Sequence, residues 1–131
     1  EIELAGSALP IERQGGSLYA RVAVAGSRGS ASYRMLVDTG ANMTGLSKSS
    51  LLALGAEPVA EAVSVRTAGG EVALPVFRLR ELRLGALVVR DLSVLGFDSL
   101  PAEAEGLVGT DVLQQLSGGL PGAVGIPGVP R

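Results

Sequence analysis

A carboxylate, a hydroxyl and a glycine follow directly on a run of apolar residues in the segment MLVDTGAN, residues 35–42. A carboxylate at the end of a core strand is costly to bury unless it is paired or hydrogen-bonded. We expect Gly40 to donate its N–H to the Asp38 carboxylate and Thr39 to offer its hydroxyl to a neighbouring backbone group. The segment is therefore a candidate acid–base site, and the alternative is that Asp38 only opens a turn after a strand.

The composition leaves few other groups for catalysis, because the chain has no Cys and no His. Without Cys there is no disulfide framework and no thiolate metal site, and the redox compartment stays open. Without His, the Ser-His-Asp and Cys-His mechanisms and His-rich metal sites are excluded. Acid–base chemistry must come from Asp, Glu, Lys or Tyr. Since no carboxylate cluster has metal-ligand spacing, we expect neither a metal nor another cofactor.

Length and charge indicate one folded domain with no affinity for nucleic acid. The chain has 131 residues, of which 47% are apolar and 18% charged, and this excludes intrinsic disorder. Its net charge of −2 gives no basic excess to neutralise phosphates. No apolar run approaches the roughly 20 residues that span a bilayer.

The origin and compartment of the chain are open. It does not start with Met and shows no signal-peptide pattern, so we expect a processed or excised piece of a precursor that carried a signal or an anchor. Arg outnumbers Lys ten to one, and Ala and Gly are abundant, as in GC-rich bacterial genomes. The expected source is therefore bacterial, with the precursor in the periplasm or anchored to a membrane.

Short strands separated by glycines dominate the pattern, which predicts an all-β fold. Two short helices are expected at 47–54, with Ser47 as N-cap and Gly55 after its end, and at 111–116, with Thr110 as N-cap. A shift in the apolar alternation predicts a bulge or bend near Arg80 and Glu81. The predicted strands are 9–13, 18–25, 32–38, 59–67, 71–77 and 87–95.

The domain is expected at residues 1–117, followed by a tail at 118–131. Of the 14 residues in that tail, eight are Gly or Pro, which is typical of a loose segment. A brief strand at 123–126 is the one element that the tail could contain.

Several motifs, in order, resemble those of the retropepsin-like aspartic proteases, particularly the small single-domain bacterial members. LVDTGAN at residues 36–42 resembles their catalytic loop, and the predicted helix follows it as in the family. The turn TAGG at residues 67–70 lies where the family has its flap hairpin. GLVGTDVL at residues 106–113 resembles the hydrophobic-hydrophobic-Gly step into a short helix. The resemblance covers residues 9–116. Family members usually follow the second helix with a final strand of the dimer interface, so here either the short strand at 123–126 takes that role or the dimer is made differently.

This resemblance implies a closed barrel-like domain that acts as an aspartic endopeptidase on a peptide or protein substrate. Asp38, Thr39 and Gly40 would form the catalytic loop. Because the chain has one such loop, a homodimer would supply the second Asp38. Two close carboxylates share a proton, and the charged one activates a water molecule.

The same resemblance assigns substrate contacts to two short segments. Ala41 and Asn42 would line the substrate site, and Ala68, Gly69 and Gly70 at the hairpin tip would close over an extended peptide. For Asn42, a bond within the loop is the favoured alternative. For the two glycines, the alternative is a simple tight turn.

Other polar residues are interpreted as structural. Asp91, Asp98 and Asp111 are expected to be solvated or capping, and Tyr19 and Tyr33 to be packing residues. Four arginines are expected on a solvated strand face: Arg78, Arg80, Arg83 and Arg90. Two rival functions remain, a catalytically weak or inactive module of the same fold for dimerisation or peptide binding, and a purely structural β-domain.

Overall fold

The computed structural model describes residues 2–4, 7–9, 11–67, 69–100 and 104–116, and these are mostly strand. The elements in chain order are β1 (Ile2–Leu4), β2 (Ser7–Leu9), β3 (Ile11–Gln14), β4 (Ser17–Ala25), β5 (Ser30–Val37), β6 (Gly45–Ser47), α1 (Lys48–Leu54), β7 (Glu57–Thr67), β8 (Gly70–Leu84), β9 (Leu87–Phe97), β10 (Gly106–Val108) and α2 (Thr110–Leu113).

The strands close into a ring. β1 and β2 form a two-stranded sheet, and the other eight strands form one sheet in the order β3-β4-β5-β10-β6-β9-β8-β7. An additional pairing between β4 and β8 joins the two sides of this sheet. The predicted all-β architecture, closed and with two short helices, is confirmed.

Alternating apolar residues on the strands fill the ring with Val, Leu and Ala. The main core includes Val22 from β4, Met35 from β5 and Leu79 from β8, all fully buried. A second, smaller cluster lies beneath the β7–β8 hairpin and contains Leu74, Val76 and Leu95. The strands before and after residues 38–44 contribute Met35 and Leu46 to this packed core, which limits their movement.

The end of β5 and the shape of β8 differ slightly from prediction. β5 starts at Ser30 and ends at Val37, so Asp38 lies just beyond the strand. β8 is one continuous strand, and its buried positions shift phase around Arg80. The pairing of β8 with β9 is interrupted at one position, where Arg80 lies opposite Asp91. No residue is inserted there, because the register is the same on both sides of this position. Instead, Asp91 takes a φ of 53°, so the predicted irregularity is a bend rather than a bulge.

The first helix is confirmed, and the second needs a correction. α1 is capped by Ser47, whose hydroxyl accepts the Ser50 N–H, and it ends at Gly55 with a φ of 75°. α2 is shorter than predicted, and its N-cap is Gly109 rather than Thr110. Thr110 is the first helical residue because the first helical bond, from the Leu113 N–H, goes to the Gly109 carbonyl over 3.1 Å.

Three of the sequence-based expectations concern residues outside the described part of the chain. These are the role of Ala68 at the hairpin tip, the tail at 118–131 and the strand at 123–126. Within the described residues, neither helix has the length or the apolar character needed to cross a membrane.

Candidate functional site

Asp38 lies just beyond the end of β5, next to the end of β10. β10 pairs in parallel with β5, so that Val108 lies beside Val37, the last residue of β5. The Asp38 N–H donates to the Val108 carbonyl over 2.9 Å, which extends this pairing by one bond. β10 also pairs with β6 on its other side. The chain before and after the loop is therefore fixed by the same central strand.

The loop that follows, residues 38–44 and called here the Asp38 loop, turns tightly around the carboxylate. The Gly40 N–H donates to Asp38 Oδ1 over 3.0 Å, as predicted. The Ala41 N–H donates to the Asp38 carbonyl over 3.2 Å. The Asp38 side chain is half-buried. One carboxylate oxygen is thus held by a backbone donor, while the structure shows no bond within the described chain for the other.

Thr39 and Asn42 do not behave as expected within one chain. Neither the Thr39 hydroxyl nor the Asn42 amide makes a hydrogen bond to any residue of the described ranges, although each was expected to bond within the loop. Asn42 is exposed and Thr39 is half-buried. Both side chains therefore keep their hydrogen-bonding capacity for groups outside the described chain.

The start of α2 clamps the middle of the Asp38 loop. The Thr110 N–H donates to the Ala41 carbonyl over 2.8 Å. A Cβ atom on Gly109 would lie 2.8 Å from that carbonyl oxygen and 2.9 Å from the carbonyl carbon of Met43. Because real Cβ atoms do not approach backbone so closely, glycine is required for the loop and the helix to touch.

A buried polar network ties the end of the Asp38 loop to the same helix. Thr44 is fully buried, and its hydroxyl donates to Asp111 Oδ1 over 2.7 Å and accepts the Gly109 N–H over 3.1 Å. The Thr44 N–H donates to Asp111 Oδ2 over 3.0 Å. Asp111 Oδ1 also accepts the Val112 N–H over 2.9 Å. Both carboxylate oxygens are therefore engaged.

This network corrects the interpretation of Asp111 as merely solvated or capping. Its bond to Val112 is a local helix-start contact, but the two bonds to Thr44 join segments 67 residues apart. Sequence reasoning missed Thr44 altogether. The sequence offered little signal for it, a threonine just before Gly45 and Leu46, and the structure shows that its buried hydroxyl needs a partner.

The β7–β8 hairpin lies over the second apolar cluster. Thr67 pairs with Gly70 at its end, and Gly70 has a φ of 112°, which fits the glycine predicted at this turn. Met43 of the Asp38 loop packs against that cluster, together with Val63 and Val65 of β7. The structure thus connects the loop to the base of the hairpin through apolar side chains.

The remaining charged residues occupy the outer surface. Arg83 and Arg90 both pair with Glu81, at 2.7 and 3.4 Å, and the hydrogen bond from Arg83 is the main cause of a lowered Glu81 pKa. Arg78 pairs with Glu57 at 3.4 Å.

The other predicted structural residues are found in such roles. Asp98 pairs with Lys48 at 3.4 Å, and the Arg34 guanidinium lies 3.8 Å from the centre of the Tyr19 ring. Tyr33 packs against the main core. Among the described residues, no group of three or more carboxylates is placed to hold a metal ion.

Comparisons with known proteins agree with this architecture. The chain resembles a retropepsin-like aspartic protease from Rickettsia conorii, with a TM-score of 0.61 and 20% identity over 84% of this chain and 80% of that one. A comparison with curated proteins finds no significant match. The family model for aspartyl proteases matches residues 20–112, a segment that includes the Asp38 loop, the β7–β8 hairpin and the start of α2. The chain therefore belongs to the aspartyl protease family, and it has a retropepsin-like fold.

Proposed function

We propose that the protein is an aspartic endopeptidase whose active site forms when two chains pair around a two-fold axis. The observation that carries this proposal is the position of Asp38, which follows directly on β5 with Oδ1 held by the Gly40 N–H at 3.0 Å. The tripeptide Asp-Thr-Gly occurs once in the sequence. A second carboxylate of the same kind must then come from another copy of the chain.

In the proposed dimer the two Asp38 carboxylates share one proton, because two adjacent negative charges repel each other. The ionised carboxylate takes a proton from a bound water molecule, whose oxygen attacks the carbonyl carbon of the peptide. The protonated carboxyl group donates its proton to the carbonyl oxygen. The tetrahedral intermediate then collapses and the C–N bond breaks. The leaving nitrogen receives the proton that the first carboxylate took from water, and the second carboxylate regains a proton from the hydroxyl that becomes the product carbonyl.

Thr39, Asn42 and the hairpin complete the proposed site. The Thr39 hydroxyl has no partner in the described chain and would bond to the equivalent loop across the axis. Ala41 and Asn42 would border the substrate, and Gly69 and Gly70, with Ala68, would donate backbone bonds to an extended peptide. These assignments rest on the family and on the position of the loop.

A mixing experiment tests whether two copies share one site. Wild-type protein is mixed with an equal amount of Asp38→Asn protein, and cleavage of a peptide library is followed from acidic to neutral pH. If mixed dimers are inactive and exchange is random, the activity per total protein falls to about one quarter of the wild-type value. If each chain acts alone, it falls to about one half.

Asp98→Asn is the matched control, since it removes the same charge from a surface loop and should leave the mixture fully active. Sedimentation measures the dimer at the same concentrations. A chain that cleaves peptides as a strict monomer would refute the shared site. If the wild-type and Asp38→Asn proteins are both dimeric, folded and equally inert, the chain is a dimerisation or peptide-binding domain without catalysis.

A further inference from the structure

A surface groove of about 490 Å³ lies among the β4–β5 turn, the junction of α1 with β7, and strands β8 and β9. It shares no residue with the Asp38 loop. Its volume falls within the range of small-ligand pockets. Its charged lining consists of Arg28, Arg78 and Arg80 together with Glu57 and Asp91. The groove therefore carries a positive excess on a chain whose net charge is −2.

The four arginines expected on one solvated face fall into two groups. Arg83 and Arg90 both pair with Glu81 and do not line the groove. Arg78 lines it and is neutralised by Glu57. Arg80 also lines it, and within the described chain it makes no ion pair or hydrogen bond, nor does the side chain of Arg28. Two residues that line one groove thus carry guanidinium groups with no partner in the described chain.

The walls of this groove are firmly held. The Arg28 N–H donates to the Leu54 carbonyl over 2.9 Å, and the Ser27 hydroxyl donates to the Gly55 carbonyl over 2.8 Å. A Cβ atom on Gly55 would lie 2.9 Å from the Arg28 nitrogen, so the turn and the helix end are in direct contact. Rigid walls reduce the entropy that a ligand must offset when it binds.

Asp91 adds an independent sign of a specialised site. It is the non-glycine residue with positive φ among those described, at 53°, and it lies on the groove. Such a conformation is costly in the middle of a strand, and strained residues cluster at ligand-binding positions. The bend at Asp91 interrupts the β8–β9 ladder opposite Arg80.

We propose that this groove binds an oxyanion, a carboxylate or a phosphate group, with the guanidinium groups of Arg28 and Arg80 as its donors. Planar guanidinium groups bind both anions through paired N–H donors. Asp91 opposes the anion and limits its affinity, so that binding is weak and reversible. The anion site is separate from the proposed catalytic site, and its test does not depend on catalysis.

Titrations of the intact chain with inorganic phosphate and with glutarate, followed by amide NMR at constant ionic strength, test the proposal. Saturable shifts are expected at the β4–β5 turn and around Asp91. Arg28→Gln and Arg80→Gln should each weaken binding about tenfold. Asp91→Asn should strengthen it several-fold, since asparagine tolerates the same backbone conformation and removes the opposing charge. Saturation by one probe alone identifies the anion as phosphate or carboxylate.

Arg90→Gln is the matched control, because it removes the same charge from a neighbouring residue that already pairs with Glu81. The Arg90→Gln protein should bind phosphate and glutarate as tightly as the wild type does. Equal weakening by Arg90→Gln, or shifts that grow linearly without saturation, would show a general charge effect and overturn the site. Resonances that stay unchanged outside the groove show that each variant is folded. Arg80→Lys provides a second variant, which keeps the positive charge but lacks the planar guanidinium group.

Discussion

Replacement of Thr44 by valine tests whether the buried network fixes the Asp38 loop. Valine has nearly the same shape as threonine but lacks the hydroxyl that donates to Asp111 over 2.7 Å and accepts the Gly109 N–H over 3.1 Å. The change therefore removes one bond to a charged group and leaves one buried backbone donor without its partner. The Thr44 site is fully buried, so water cannot replace either contact.

The magnitude follows from these two losses. A hydrogen bond to a charged group contributes about 1.5–3 kcal/mol, and an unsatisfied buried donor costs about 1–3 kcal/mol. Burial of the methyl group that replaces the hydroxyl stabilises the variant by about 1 kcal/mol. The free energy of unfolding should thus fall by about 1.5–5 kcal/mol. For a domain of this size, a loss near the middle of that range lowers Tm by roughly 12 °C.

Urea unfolding measures this loss, with protein concentration held constant because any association adds to stability. Thr110→Val is the matched control, since its hydroxyl makes no hydrogen bond in the described chain and its change should stay within about 0.5 kcal/mol. Asp111→Asn and the double variant complete a cycle, with an expected coupling of at least about 1 kcal/mol. A Thr44→Val protein as stable as Thr110→Val, or additive effects of Thr44→Val and Asp111→Asn, would refute the reasoning.

Three further predictions concern other parts of the molecule. Gly109→Ala should displace the Asp38 loop and reduce cleavage at least about tenfold, whereas Gly29→Ala, which meets no atom within 4 Å, should leave it unchanged. The stability gained from Glu81 should be present above pH 4.5 and lost as pH falls through its lowered pKa. The free energies of unfolding of the wild type and of Glu81→Gln should therefore become equal in acid. Met43 of the Asp38 loop packs against the second apolar cluster, so Met43→Lys should place a charge among apolar side chains, lower stability and reduce cleavage, and an unchanged cleavage rate would refute this.

The elements that sequence reasoning predicted well are those set by local patterns. Ser47 and Gly55 bound α1 because capping chemistry depends on residues adjacent in sequence. The Gly69-Gly70 turn and the position of Asp38 after an apolar strand follow from equally local signals. The longer strands β4, β5, β7, β8 and β9, and the β7–β8 hairpin, were therefore predictable from alternation and turns.

The contacts that sequence reasoning missed are those made between distant segments. Thr44 meets Asp111 across 67 residues because β10 inserts between β5 and β6. No local pattern encodes that insertion, so Asp111 resembles an ordinary residue at a helix start. The three-residue strand β6 was missed for the same reason, since its pairing partners lie in β9 and β10. Such short strands exist through tertiary pairing rather than propensity.

The bonds that fix the Asp38 loop have a consequence for assembly. They lie within one chain and use backbone groups of Val108, Gly40 and Thr110 together with the Thr44 network. The Thr39 hydroxyl and one oxygen of the Asp38 carboxylate have no bond in the described chain. The Asp38 loop of each chain is therefore already held in place before two chains meet. Pairing would add the second carboxylate without rebuilding the loop, so the dependence of the cleavage rate on concentration should follow the association equilibrium alone.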